Sequence, residues 1–329
     1  MEEKRRTTVD PGANGRVRLG ATELEISPMG LGAWAWGDSL LWEYGRTHAE
    51  PDIRAAYEVT LSSGINLIDT AEAYAQGQSE RLVGKFIREG GNPVVATKFF
   101  PYPWRLTPGS LTRALKGSIA RLGLSRVDLY QLHWPFPPVS IETWMAAMAD
   151  AVAAGLAKAV GVSNYSLRQT QRAYHALARQ GVVLASNQVD YSLLDRRAER
   201  SGLLRACKEL GVTVIAYSPL DQGLLTGKYS PVSPPSGVRG RTVSHRRLAE
   251  AQTLISRMRE IGERHGGKTP AQIALNWVMC KGAVPIPGVK NLDQAQANLG
   301  ALGWRLAESE LAALDAASDK YDNMTLRVS

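Results

Sequence analysis

Short apolar runs alternate with amphipathic segments along most of the chain. The runs that are mostly apolar throughout, and therefore typical of strands buried on both faces, cover residues 29–32, 65–68, 94–97, 127–132, 159–162, 184–189, 212–216 and 283–286. From the second to the seventh of these runs, their starts recur every 25 to 33 residues. That spacing is typical of βα units, in which a helix connects two parallel strands.

The segments between the runs carry helix signals. Apolar residues three to four positions apart predict a helix with Leu111, Leu115, Ile119 and Leu122 on its buried face, ended by a turn at Gly123. Further helix starts and amphipathic stretches are predicted at Pro51–Asp52, at Ser79–Glu80, at Thr269–Pro270 with Pro in the first helical position, and at 308–317. Residues 17–26 alternate around Gly20 and predict a short hairpin.

Eight strand–helix units indicate an α/β fold. We expect a (β/α)8 TIM barrel with an N-terminal β-hairpin and an extra C-terminal helix; an open doubly wound sheet is the alternative. Residues 1–15 are polar and contain Pro11, Gly12 and Gly15, which predicts a flexible N-terminal extension ahead of a single barrel domain at 16–329. The Pro/Gly/Ser/Arg-rich stretch 218–245 predicts a long loop, either a functional lid or disorder.

Composition narrows the class of protein. The chain has 329 residues, 44% hydrophobic and 21% charged, with a net charge of +8. The basic residues are dispersed, and even the densest group, at 239, 241, 246 and 247, lies in one loop, so we expect no nucleic-acid partner and attribute part of the excess to an anionic ligand. No apolar run approaches the roughly 18 residues of a membrane span. The charged start lacks a signal peptide, so we expect a cytoplasmic protein with two reduced cysteines.

Polar residues follow successive predicted strands. In a barrel the carboxyl ends of all strands meet at one rim, where active sites lie. The residues that reach this rim are Asp69, Tyr74, Lys98, His133, Ser163, Asn164, Gln188, Tyr217 and Ser218. A purely structural barrel has no need of so many polar groups there, so the pattern predicts a catalytic site.

These residues and their order resemble the aldo-keto reductase superfamily. The resemblance runs from Gly30 to Asn298 and includes the stretches GVSN at 161–164, NQ at 187–188 and AYSPL at 216–220. It implies a catalytic tetrad of Asp69, Tyr74, Lys98 and His133. The subgroup resembled includes bacterial and plant-plastid reductases such as pyridoxal reductase, which favours pyridoxal and small aldehydes as substrates.

The chemistry of carbonyl reduction explains these residue types. Reduction needs a hydride on carbon and a proton on oxygen, and Tyr74 is a useful acid only if its phenolate is stabilised. Lys98 supplies the stabilising charge, Asp69 keeps Lys98 protonated despite burial, and His133 donates a hydrogen bond that orients the carbonyl. Family members that reduce enone double bonds often carry Glu in place of this His, so His133 favours carbonyl chemistry.

The resemblance also implies an NADPH site. Ser163, Asn164 and Gln188 would hold the carboxamide, Tyr217 would stack on the nicotinamide, and Lys290 with Asn291 would bind the 2′-phosphate. The full set of implied contacts is Gly32, Ala33, Trp34, Asp69, Ser163, Asn164, Gln188, Tyr217, Ser218, Leu220, Gln222, Gly223, Leu225, Lys228, Ile286, Gly288, Lys290, Asn291, Gln294 and Asn298. One position departs from the family pattern, since Ala297 stands where relatives often have Glu; this leaves the degree of preference over NADH open.

Four tryptophans predict an aromatic substrate pocket: Trp34, Trp36, Trp104 and Trp134. Each could instead pack against helices. The five histidines are too scattered to predict a metal site. Two other functions stay open: oxidation of a sugar, polyol or pyridoxal, and an NADPH-binding regulatory role resembling potassium-channel β-subunits. We expect a small carbonyl substrate, no membrane partner, and a monomer or homo-oligomer.

Overall fold

The structure is a computed structural model that describes residues 9, 10, 12, 15–235, 240 and 243–325, with side chains to residue 319. Most of the predicted extension 1–15 lies outside the described residues, as do Arg239 and Arg241. Of the extension's described residues, Val9 is buried and Asp10 lies 3.6 Å from Arg305.

The N-terminal hairpin covers the amino end of the barrel, as the alternation at 17–26 predicts. Strands β1 (Val17–Arg18) and β2 (Glu25–Ile26) pair antiparallel. Their turn contains Gly20 with φ of +60°, and a Cβ there would lie 2.5 Å from the carbonyl oxygen of Ala185. Glycine is therefore required both by the backbone conformation and by the close approach to the barrel.

Eight parallel strands form the main sheet, and consecutive strands are neighbours throughout. They are β3 (Leu31–Gly32), β4 (Leu67–Asp69), β5 (Val94–Phe99), β6 (Val127–Leu132), β7 (Ala157–Ser163), β8 (Leu184–Asp190), β9 (Thr213–Tyr217) and β10 (Val284–Pro285). The first and last strands meet: Gly30 donates to Pro285 O at 2.9 Å, Gly32 donates to Pro287 O at 3.0 Å, and Gly32 bridges Gly288. The sheet is thus a closed barrel, which confirms the predicted fold class over an open sheet.

Helices connect the strands on the outside. Their bounds are α1 Glu50–Ser62, α2 Gln78–Glu89, α3 Pro108–Leu122, α4 Ile141–Ala153, α5 Leu167–Ala178, α6 Arg197–Arg200, α7 Leu203–Glu209, α8 His245–Arg264, α9 Pro270–Cys280, α10 Leu292–Leu299 and α11 Glu308–Thr325. Thr269 and Gln272 form a capping box at the start of α9, and Gly123 ends α3 with φ of +68°. These caps explain why the predicted ends are close to the observed ones.

Two segments differ from the prediction. The stretch 218–245 is not loop throughout, because Asp221–Thr226 forms a short 3₁₀ helix. Helix α11 runs from Glu308 to Thr325 and so extends past the predicted 308–317. Among the described residues, no helix is both long and apolar enough to cross a membrane.

Candidate active site at the carboxyl rim of the barrel

Three neighbouring strands bring the four predicted catalytic residues together. Asp69 is the last residue of β4, and Lys98 is the fifth residue of β5. His133 directly follows β6, and its backbone N–H donates to Phe99 O at 2.9 Å. Tyr74 comes from the turn after β4. The parallel register therefore places all four at one rim, as their positions after the strands predict.

Lys98 is the centre of the group. Its side chain is fully buried, and its ammonium donates to the Asp69 carboxylate, to Thr70 O at 3.0 Å and to the Tyr74 hydroxyl at 3.1 Å. Burial alone would lower the pKa of Lys98, but the charge of Asp69 and the contact with Tyr74 outweigh it, and the pKa is raised. Lys98 is thus a buried ammonium beside a phenol.

Tyr74 opens a strained turn. The 3₁₀ segment Tyr74–Gly77 contains Ala75 and Gln76 with φ of 46° and 54°, in the left-handed region that non-glycine residues rarely adopt. Burial raises the pKa of Tyr74, while Lys98 opposes that rise and Asp69 adds to it. From the sequence we expect Lys98 to make the phenol more acidic. The structure shows that Lys98 has this effect, but that burial is the larger one.

His133 lies edge-on to Tyr74, with ring centroids 5.9 Å apart and planes at 78°. Burial, together with the charge of Lys98, lowers the pKa of His133 to about 3, so the ring is neutral at pH 7. Its Nδ1 atom is buried and has no hydrogen-bond partner among the described residues. A buried polar atom without a partner at such a site indicates that a ligand group or water completes it.

Two glutamines hold the Asp69 carboxylate from the side opposite Lys98. Gln188 Nε2 donates to Asp69 Oδ2 at 2.7 Å, and Gln131 Nε2 donates to the same oxygen at 3.3 Å. Gln188 was predicted only as a cofactor contact, and Gln131 was not predicted at all. The sequence signal for Gln131 was an amide inside a mostly apolar strand, β6. The structure shows this amide fully buried, and a buried polar group needs a partner.

A second network follows β7 and β9. Ser163 donates to Gln188 O at 2.9 Å, Asn164 donates to His133 O at 3.0 Å, and the Tyr217 hydroxyl donates to Asn164 Oδ1 at 2.8 Å. Asn164 has φ of 61°, a conformation that asparagine tolerates better than most residues. The predicted carboxamide and stacking residues are therefore adjacent and oriented by one another.

The segment after β9 turns sharply. Ser218, Gln222 and Gly223 have φ of 50°, 51° and 96°. Leu220 and Lys228 flank the 3₁₀ helix, Lys228 is exposed, and Leu225 is fully buried. The predicted pyrophosphate segment is thus a set of left-handed turns, whose backbone N–H groups can form an anion-binding concavity.

The predicted adenosine-phosphate residues lie in the segment after β10 and in α10, where Asn298 is the last but one residue. Asn291 caps α10 by accepting from Gln294 N at 3.0 Å, and Gln294 Oε1 accepts from Lys290 N at 3.0 Å. Ile286 and Asn298 are buried, and Gly288 is exposed. On the facing strand β3, Gly32 and Ala33 are buried, and a Cβ on Gly32 would lie 2.8 Å from Ile286 O.

Aromatic side chains surround the catalytic group, with one correction. Trp34 is 36% exposed with its ring 6.2 Å from Tyr74, Trp104 is exposed and stacks on Tyr102 at 4.9 Å, and Trp134 stacks on Phe136 at 5.3 Å. The prediction that Trp36 lines the pocket is wrong. Its side chain is fully buried and donates from Nε1 to Val289 O at 2.9 Å.

Sequence reasoning missed Trp42, whose ring lies edge-on to Trp34 at 5.4 Å. Its neighbours in the sequence, which include Leu40 and Leu41, show no strand or helix periodicity, so no local pattern singled it out. We call the rim rings Trp34, Trp104 and Trp134, with the stacking partners Tyr102 and Phe136, the aromatic wall. Trp42 extends this wall from Trp34 toward Lys290.

Comparison with known proteins agrees with this geometry. The profile of the Aldo/keto reductase family matches residues 28–319. The chain is 42% identical to the chloroplastic pyridoxal reductase of Arabidopsis thaliana over 317 residues, covering 92% of this chain and 86% of that protein. It is 32% identical to the aldo-keto reductase YhdN of Bacillus subtilis, covering 87% and 88%.

Solved structures give the same result. A thermostable aldo-keto reductase in complex with the inhibitor epalrestat superposes with a TM-score of 0.75 at 32% identity, covering 92% of this chain and 99% of that one. The glycerol dehydrogenase of Gluconobacter oxydans superposes with a TM-score of 0.80 at 25% identity, covering 93% and 95%.

Proposed function

Because the chain belongs to the Aldo/keto reductase family of oxidoreductases, we propose that it reduces aldehydes or ketones to alcohols with NADPH, and that Tyr74 is the general acid. The observation that carries this proposal is the fully buried ammonium of Lys98, which contacts the Asp69 carboxylate and the Tyr74 hydroxyl together. A buried charge of this kind is costly unless it is paired. Here the Asp69 carboxylate pairs the Lys98 ammonium, which also donates to the Tyr74 hydroxyl at the rim.

The residues at the rim fit a nicotinamide dinucleotide. The Tyr217 ring is partly exposed beside Asn164, the left-handed turns after Ser218 offer backbone donors, and exposed Gly288 precedes the cation of Lys290. The unpartnered Nδ1 of His133 supports a ligand at the same rim. When bound, NADPH supplies the hydride. Lysine opposite a 2′-phosphate favours NADPH over NADH.

The protein's own part in the reaction is the proton. With its pKa raised by burial, Tyr74 stays protonated at neutral pH and can donate its phenolic proton to the carbonyl oxygen. Lys98 then stabilises the phenolate that remains, and Asp69 keeps Lys98 charged. His133 is neutral, so one of its ring nitrogens carries a hydrogen that can orient the carbonyl oxygen.

The aromatic wall supports a planar substrate. Phe100 joins the two stacked pairs of the rim, since its ring lies 4.6 Å from Tyr102 and 6.2 Å from Phe136. Flat aldehydes can stack on such surfaces. Together with the relation to a pyridoxal reductase, this wall makes pyridoxal the first substrate to test. A cytoplasmic location, and a monomeric or homo-oligomeric state, stay predictions.

The test of this proposal is the Tyr74→Phe variant. We expect NADPH-dependent reduction of pyridoxal and other aldehydes to fall by roughly 10²- to 10⁴-fold, because the variant lacks the acid, while NADPH affinity stays nearly constant. Turnover is followed by NADPH absorbance and binding by fluorescence titration. Tyr174→Phe, which removes a phenol from α5 away from the rim, is the matched control.

Three outcomes would contradict parts of the proposal. Normal turnover by Tyr74→Phe would remove the acid assignment. Tight NADPH binding by the unaltered protein without turnover on any carbonyl would favour a regulatory role. Absence of binding would refute the cofactor assignment.

A further inference from the structure

The segment between β3 and α1 contains a structured loop, residues 38–48, which we call the 38–48 loop. The Asp38 carboxylate accepts from the backbone N–H groups of Leu40, Leu41 and Trp42 at 3.0, 2.7 and 3.3 Å. At its other end, His48 Nε2 lies 3.2 Å from Ala35 O. The loop is therefore held in shape at both ends, and Trp42 has a defined position within it.

Lys290 contacts this loop. Its ammonium donates to Trp42 O at 3.2 Å and also lies over the Trp42 ring, 4.9 Å from the centroid. A second aromatic contact runs from Trp42 to Trp34 at 5.4 Å, and a third from Trp34 to Tyr74 at 6.2 Å. A continuous series of contacts thus joins the cation at the start of α10 to the phenol at the catalytic centre.

The ammonium of Lys290 can bind a phosphate more strongly than it binds the carbonyl oxygen and the ring of Trp42. In a hydrogen bond between an ammonium and a phosphate both groups are charged, whereas in a bond to a backbone carbonyl only the ammonium is, so the bond to the phosphate is the stronger one. The attraction to an accessible aromatic face is worth only about 0.5 to 1 kcal/mol. A phosphate group at this position would therefore attract Lys290 more strongly than Trp42 does.

We propose that Lys290 binds Trp42 when no cofactor is present and the 2′-phosphate when NADPH is bound. Trp42 is then a positioning residue that couples the identity of the cofactor to the aromatic wall. This inference rests on the proposed function, since it requires Lys290 to meet a 2′-phosphate. In the absence of that phosphate, Lys290 holds Trp42 and, through it, Trp34 against Tyr74. A bound 2′-phosphate draws the ammonium away and releases the aromatic wall beside the catalytic phenol.

The experiment uses a fragment that reaches only the adenosine end, adenosine 2′,5′-bisphosphate, with 5′-AMP as the ligand that lacks the 2′-phosphate. We expect the bisphosphate, and not 5′-AMP at saturation, to change the intrinsic tryptophan fluorescence of the full-length protein. The change should be lost in Trp42→Leu, although that variant still binds the bisphosphate by calorimetry. Because the competing ring is gone, Trp42→Leu should bind it about two- to five-fold more tightly.

Two further variants make the result specific. Trp42→Phe keeps an aromatic face and should leave the affinity for the bisphosphate close to that of the unaltered protein. Trp104→Leu removes an exposed tryptophan of the same rim that stacks on Tyr102, and should change neither the response nor the affinity. In the unaltered protein, the KM for the aldehyde measured with NADPH should differ from that measured with NADH. In Trp42→Leu the two KM values should converge.

The outcomes separate the two proposals. Suppose that the unaltered protein binds the bisphosphate. If Trp42→Leu then keeps the full fluorescence response, or binds the bisphosphate more weakly, the coupling is overturned and the NADPH assignment stays intact. An equal response to 5′-AMP also overturns the coupling. If the unaltered protein does not bind the bisphosphate, both the 2′-phosphate site and the coupling fail.

Discussion

Backbone strain at single residues is concentrated at the rim of the barrel. Ala75, Gln76, Asn164, Ser218 and Gln222 all have positive φ and all lie in turns that follow strands at the carboxyl end. Such conformations cost on the order of 1 to 3 kcal/mol each and persist only where the surroundings impose them. Here they shape the turns that carry Tyr74, Asn164 and the residues after β9 at the rim.

Asp190, the last residue of β8, is a second residue with an unusual environment. Burial raises its pKa to about 7, the carboxylates of Asp195 and Asp221 add to the rise, and Arg197 and Arg247 oppose it. Because an unfolded Asp titrates near pH 4, the folded protein holds this proton more tightly between about pH 4 and 7. Asp190 therefore costs stability as the pH rises through that range, and the cost is complete above it.

We predict that Asp190→Asn is more stable than the unaltered protein at pH 8, by on the order of 2 to 4 kcal/mol, because the amide needs no deprotonation. The gain should shrink by about 1.4 kcal/mol for each unit of pH below 7. Urea denaturation at pH 5 and pH 8 measures it, with the exposed Asp150→Asn as control. Equal gains at both pH values would show that ionisation of Asp190 is not the cause.

Helix α2 is fixed to the barrel directly behind Lys98. Glu80 is fully buried, and its carboxylate accepts from Thr97 Oγ1 in β5 and from Arg121 Nε in α3, both at 2.6 Å. At the start of the same helix, Ser79 Oγ donates to Ala33 O at 2.8 Å. Thr97 precedes Lys98, so these contacts hold both the helix and the strand that presents the ammonium.

We predict that Glu80→Ala lowers the free energy of unfolding by roughly 3 to 5 kcal/mol, because it leaves Arg121 and Thr97 without their buried acceptor. Thermal or urea unfolding followed by circular dichroism measures the loss. Glu58→Ala in α1 removes an exposed carboxylate and should change stability by less than about 0.5 kcal/mol. Similar losses in the two variants would mean that the Glu80 contacts contribute little.

For the whole molecule, closure of the barrel depends on one seam between β3 and β10. The seam consists of the backbone contacts from Gly30 and Gly32 to the segment 285–288. These are the strands farthest apart in the chain, and the candidate cofactor residues Gly32, Ile286 and Gly288 lie at their ends. Closure therefore brings the candidate adenosine-phosphate residues and the candidate catalytic residues into a single body.

We predict that Gly32→Ala weakens the seam, because the new Cβ would lie 2.8 Å from a backbone oxygen, Ile286 O. Overpacking of this kind costs typically about 1 to 3 kcal/mol, and NADPH affinity should fall with it. Scanning calorimetry and fluorescence titration measure the two effects. Gly109→Ala, in the first turn of α3 with open space around it, should be neutral or slightly stabilising. An unchanged melting temperature for Gly32→Ala would show that the seam tolerates a methyl group.

Much of this protein follows from local patterns in the sequence. Apolar runs and capping residues such as Thr269 and Gly123 predict the main strands and most helix starts to within a few residues, because periodicity and caps act over only a few positions. The approach of Asp69, Lys98 and His133 is also predictable, since each follows a predicted strand and parallel strands end at one rim.

What the tertiary structure alone decides depends on contacts between distant parts of the chain. Trp34 and Trp36 look alike in sequence, yet one is at the rim and the other is buried against Val289. The direction of the Tyr74 pKa follows from burial that no local pattern reveals. Lys290 and Trp42 are 248 residues apart in the sequence, and they touch only because β3 and β10 meet. The sequence by itself determines the elements and their order, and closure of the barrel determines which side chains touch.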